Sequence, residues 1–135
     1  MLIDMKKRIL LMFTAFVFCT FFALAQNMPS GLTTAFKKGS AQDLAPFLGN
    51  QVVVIIRDNT QTFSKSETQK AMAGFFSANK VTGFTVNHQG DRNESGFIVG
   101  TLSTTNGSFR VNCFFKKSGN DSALIHQIRI VKTNE

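Results

Sequence analysis

From Val81 onward the apolar residues recur at every second position in four successive runs, and this period decides what the chain can fold into. The runs cover residues 83–88, 96–103, 109–117 and 123–131. Asn106-Gly107, the strongest short-range hairpin signal a sequence can carry, joins the second to the third. Ser118-Gly119-Asn120-Asp121 joins the third to the fourth. In the third run Phe109, Val111, Cys113 and Phe115 share one face, while Arg110, Asn112, Phe114 and Lys116 share the other. In the fourth, strict alternation sets His126, Ile128 and Ile130 against Gln127, Arg129 and Val131. One face is apolar and the other mixed, the pattern of an antiparallel sheet covered by helices on a single side.

The preceding stretch supplies those helices. Leu32, Ala35 and Phe36 recur at helical spacing until Gly39. Ser40 is an N-cap for a second, short helix that buries Leu44, Phe47 and Leu48, its length limited to about two turns by Pro46. The β-branched run Val52-Val53-Val54-Ile55-Ile56 reads as a strand with a turn at Asp58-Asn59. Ser64 with Glu67 three residues later is a capping box, opening a helix whose stripe is Ala71, Met72, Phe75 and Phe76. Gly74 within it reads as a mark of close packing.

Residues 1–25 have the composition of a signal peptide. Lys6, Lys7 and Arg8 precede a run without charge over 9–22, and Ala23-Leu24-Ala25 fits a signal peptidase site. The apolar run is shorter than the roughly 20 residues of a permanent span; a retained anchor and a buried first helix are the alternatives. Cys19 lies inside the hydrophobic run with no small residue before it, which argues against lipidation. Cleavage would leave residues 26–135 as one α+β domain, exported to the periplasm or secreted.

Of the 15 Lys and Arg and 8 Asp and Glu in the chain, three and one fall in the leader, so the remainder carries twelve against seven. The basic residues are scattered, and with export this argues against nucleic acid as a partner. Cys113 would be the one cysteine left, excluding an intrachain disulfide and a cysteine-rich zinc site. Its place among alternating phenylalanines and valine reads as a small buried hydrophobe.

Five segments stand out together: Phe36-Lys37-Lys38-Gly39-Ser40 before Leu44, Phe63-Ser64-Lys65-Ser66 before Phe75-Phe76, Gly100-Thr101-Leu102, Asn106-Gly107-Ser108-Phe109-Arg110-Val111 and Ile125-His126-Gln127-Ile128-Arg129-Ile130. In these the chain resembles the DUF4783 family of small exported Bacteroidetes proteins, within the NTF2-like, cystatin-like α+β superfamily. The resemblance implies an NTF2-like cone: N-terminal helices packed on a strongly curved, mainly antiparallel sheet, with a mouth that can hold a small molecule. It also implies that homodimers form through the sheet in some relatives. It brings no catalytic assignment, and fold alone assigns none.

Motifs for phosphate binding, zinc hydrolysis, redox dithiols, serine nucleophiles and EF-hand calcium are missing, so no cofactor is expected. His88, Asp91 and Glu94 are too loosely spaced to specify a metal site. His126, placed inward by alternation, is the candidate general base; the alternative is a core-edge histidine satisfied by hydrogen bonds. Asp58 is explained by a turn and Glu67 by a cap, and Asp91 and Glu94 by a polar connector, leaving no clear acid partner. Arg110, Phe114, Gln127 and Arg129 form the candidate surface for a ligand or partner, against the alternative of an ordinary solvated face. The expected function is a non-catalytic exported module binding a small molecule or protein, or a homodimer of it. The alternative is a small hydrolase or isomerase with His126 in a cone pocket.

Overall fold

The computed structural model describes residues 30–92, 94–117 and 123–133. The leader, Cys19 and the expected turn at Ser118-Gly119-Asn120-Asp121 lie outside the described residues. Helix α1 (Ser30–Lys38) buries Leu32, Ala35 and Phe36. It ends where Gly39 turns left-handed at φ 64°. There the Ser40 amide donates to the Ala35 carbonyl and the Gly39 amide to that of Phe36, a Schellman motif. Any Cβ on Gly39 would also come within 2.9 Å of the Val81 side chain.

Ser40 caps α2 (Ala41–Leu44), accepting from the Asp43 amide at 3.1 Å. Pro46 holds the rest of the expected helix to a 3-10 turn (Ala45–Phe47), and the chain is already extended at Leu48 and Gly49. Strand β1 (Leu48–Ile56) turns through Arg57-Asp58 into β2 (Asn59–Ser64), with Arg57 in the left-handed region at φ 59°. The turn is thus one residue earlier than Asp58-Asn59, and β2 is a strand that the polar sequence Asn59-Thr60-Gln61-Thr62 does not announce.

Helix α3 (Lys65–Ala78) starts at the expected capping box: the Ser64 amide donates to Glu67 at 3.0 Å and the Glu67 amide to the Ser64 hydroxyl at 3.2 Å. The bond from the Ser64 amide, followed by that involving its hydroxyl, holds the Glu67 carboxyl below its ordinary range. The cap therefore stabilises the fold above the ordinary carboxylate pKa and loses that contribution as pH falls through the lowered value. Met72, Phe75 and Phe76 are buried, whereas Gly74 is exposed with nothing near its absent side chain, so it marks no close contact.

Strands β3 (Val81–Arg92), β4 (Ser95–Thr104), β5 (Gly107–Lys116) and β6 (Leu124–Lys132) complete a six-stranded sheet in the order β2-β1-β6-β5-β4-β3. The pairing of β1 with β6 is parallel and the other four are antiparallel, so the sheet is mixed. The β4–β5 hairpin turns at Thr105-Asn106, with Gly107 (φ 111°) opening β5. The Asn106 side chain also donates to the Ala78 carbonyl and to Asn79 Oδ1, tying this turn to the end of α3.

The fold is α+β, but the strongly curved cone is corrected. The sheet is open and not strongly curled: β2 and β3 lie at opposite ends of a linear strand order and do not pair with each other. Closing it would need a hydrogen-bonding partner for β3, and the short polar β2, at the far edge, pairs only with β1. Between helices and sheet lies an aromatic core. Phe36 stacks on Phe84 at 4.9 Å between centroids and meets Phe76 edge-on at 6.3 Å; Phe75 meets Phe109 edge-on at 5.1 Å.

Phe84 lies against the backbone of Gly100, where an added Cβ would be 2.4 Å from its ring and 2.9 Å from the Thr85 carbonyl oxygen. Gly100→Ala is expected to cost about 1–3 kcal/mol by overpacking, visible as a melting temperature lower by several degrees. An unchanged melting temperature would show that the Phe36–Phe84 stack can move off the sheet.

Candidate functional site

The helices cover one face of the sheet, and the register of β4, β5 and β6 orders the other into three rows. Phe97 pairs with Phe114 and Phe114 with Gln127; Val99 with Asn112 and Asn112 with Arg129; Thr101 with Arg110 and Arg110 with Val131. Because alternate residues face opposite ways, the inward set on β4 and β5 is Ile98, Leu102, Phe109, Val111, Cys113 and Phe115, all buried. The outward set includes all four residues read as a surface: Arg110 and Arg129 exposed, Phe114 and Gln127 half-buried. Phe97, which the sequence reading passes over, is 38% exposed and Val131 36%. The signal for Phe97 lies in its alternation with buried Ile98.

His126 is not inward. The β5–β6 register shifts between Phe114 and Phe115: Phe114 faces Gln127 and Phe115 faces Ile125, leaving His126 as the extra residue of a β-bulge. The inward residues of β6 are Ile125, Ile128 and Ile130, each fully buried, and His126 is exposed. One inserted residue thus breaks the alternation that placed His126 with Ile128 and Ile130.

The bulge brings His126 to the wall of a groove of about 410 Å³ beside Phe97, Phe114 and Gly90, with Asp91 also on its lining. Gly90 lets the Phe97 ring lie against the β3 backbone, since an added Cβ would be 2.9 Å from that ring. His88 is exposed within β3, opposite Val99, and not at a strand end. The expected connector at 89–95 is largely strand, with Gly90 and Asp91 paired to Phe97 and Gly96.

Charge on this face is one-sided. The outward positions of β4, β5 and β6 carry Arg110, Lys116 and Arg129, and no carboxylate is among these described positions. Asp91 and Glu94 belong to the hairpin end of β3 and β4. At the centre, Asn112 Oδ1 is buried with no hydrogen-bond partner. Such a group costs about 1–3 kcal/mol. Asn112→Val is accordingly expected to raise the melting temperature by a few degrees in a thermal melt; a lower one would mean that the amide is held by other contacts.

No group of three or more His, Cys, Asp or Glu side chains is arranged to hold a metal ion among the described residues. Nor is any described helix long and apolar enough to cross a membrane. Cys113 is buried, and burial pushes its thiol pKa up to about 12. At pH 8 it is protonated and shielded, so Cys113 in the folded protein is expected to be inert to a disulfide reagent and to react on unfolding. Rapid labelling of the native protein would overturn this placement.

A family model described as a domain of unknown function, DUF4783, matches residues 30–131. The chain belongs to the DUF4783 family. A solved DUF4783 protein from Bacteroides ovatus is 53% identical, with a TM-score of 0.78, the match covering 82% of this chain and 99% of that one. One from Bacteroides uniformis is 51% identical, with a TM-score of 0.77 and coverage of 80% and 99%. A domain of unknown function with a cystatin-like fold from Nostoc punctiforme shares 10% identity, a TM-score of 0.61 and coverage of 78% and 72%, a likeness of fold alone. By fold, the chain is thus similar to a cystatin-like structure. No curated protein matches the chain.

Proposed function

We propose that this DUF4783 protein is an exported, non-catalytic binding module whose outer sheet face, around Arg110, Phe114, Gln127 and Arg129, receives its partner. One observation carries the reading: the register gathers those four residues and Phe97 on one face that no described helix covers, where large apolar side chains stand beside cations. Export rests on the basic stretch at Lys6, Lys7 and Arg8, the charge-free run after it and the Ala23-Leu24-Ala25 site. The protein then works in the periplasm or outside the cell, and its partner is a protein, a small molecule or a second copy of the chain.

The test is photo-crosslinking in producing cells after fractionation. A benzophenone amino acid is placed at Phe97 or, as control, at Ala73 on the exposed side of α3. The exported fraction should yield adducts from position 97 and none from 73. Adducts from 73 alone, none from either, or a protein retained in the cytoplasm with its leader intact would overturn the reading.

One observation favours a second reading, a small hydrolase or isomerase with His126 as general base: His126 and Asp91 line the same groove. It requires turnover of small ester or enolisable substrates by the purified protein, reduced about a hundredfold or more in His126→Ala. Absence of turnover leaves binding alone.

A further inference from the structure

Resting on the reading of the outer face as a docking surface, we propose that its partner is an acidic polypeptide segment carrying an aromatic or branched aliphatic side chain. That side chain enters the groove between Phe97, Phe114 and His126, and the carboxylates of the segment meet Arg129 and Arg110.

The spacing supports an extended occupant. Successive outward residues of a strand are about 6.8 Å apart and neighbouring strands about 4.8 Å. Arg129 thus lies one row from Phe114 and Arg110 two rows, roughly 14 Å along β5. A segment of four or five residues covers that span with alternate side chains directed at the sheet. Cations are in surplus: Arg110, Lys116 and Arg129 face outward on the three strands, against the single carboxylate of Asp91 on the groove's lining.

Other occupants fit less well. A second copy docked face to face would bring Arg110, Lys116 and Arg129 of each copy together, a surplus of cations over the Asp91 carboxylates at the grooves. An anionic bilayer would neutralise the arginines, but it takes up protruding apolar side chains. Here Phe114 is half-buried, and the Phe97 ring, although 38% exposed, lies against the Gly90 backbone.

Fluorescence anisotropy of the purified protein tests the proposal with a labelled ten-residue peptide whose alternate, sheet-facing positions carry leucine, phenylalanine and then glutamates, with serine between them. Two comparison peptides replace the apolar residues by alanine or the glutamates by lysine. The acidic aromatic peptide should bind and weaken steeply with salt, and both comparison peptides should bind about tenfold or more weakly. Arg110→Glu combined with Arg129→Glu, and separately Phe114→Ala, should each lose about tenfold or more. Lys37→Glu with Lys38→Glu, on the helix side, should lose little. Thermal melts verify that each variant folds, and the peptide comparison needs no variant at all. Equal binding of the lysine peptide, or no binding of the acidic one, overturns the proposal. So does sedimentation with phosphatidylglycerol vesicles in the absence of peptide binding, or a dimer in which Phe114 is protected. Adducts from position 97 without peptide binding would sink the partner chemistry alone; no adducts would sink the docking surface as well.

Discussion

Phe36 sits where α1, α3 and β3 converge, and the arrangement of the helices over the sheet follows from that one ring. Its stacked contact with Phe84 and edge contact with Phe76 tie three elements far apart in sequence. Phe84 in turn rests against Gly100, so the chain of contact runs from helix to ring to ring to sheet backbone. The closeness of that approach explains why a residue without a side chain is needed in the middle of β4.

With the inner face committed to packing, the outer face is left to carry whatever specificity the molecule has. The same alternation that buries Val111 and Cys113 exposes Arg110 and half-exposes Asn112, so the two faces are coupled through one backbone. The bulge at His126 changes that coupling locally: β6 keeps its isoleucines in the core while presenting an extra polar ring beside Phe114. An unpaired Asn112 carbonyl is tolerated in the centre of this surface.

Much of this was legible in the sequence, for reasons that differ by element. The capping box at Ser64 and Glu67 and the glycine stop at Gly39 are local chemistry, and local chemistry reads directly. The β5 alternation was plain because its inward face is fully buried. Asn106-Gly107 marked the hairpin, but its turn falls at Thr105-Asn106, since the glycine's positive φ serves the first strand residue. β2 escaped because an edge strand facing water needs no apolar pattern, and its pairing to β1 is set by a tight turn. The bulge at His126 was illegible: nothing in Ile125-His126-Gln127-Ile128 distinguishes two inward isoleucines three apart from regular alternation, and only the pairing to Phe114 and Phe115 decides it. The cone came from family likeness, which transmits element order more faithfully than sheet curvature.

The place of β6 has a consequence for how the molecule comes into being. Last in the chain, it lies third in the sheet, between β1 and β5, and is the element that joins the β1–β2 hairpin to the β3–β5 meander. A nascent chain that has emerged only as far as β5 holds two unconnected pieces of sheet, each with an open edge awaiting the same strand. Assembly of one continuous sheet must therefore wait for β6, and the long loop closure between β1 and β6 slows it further.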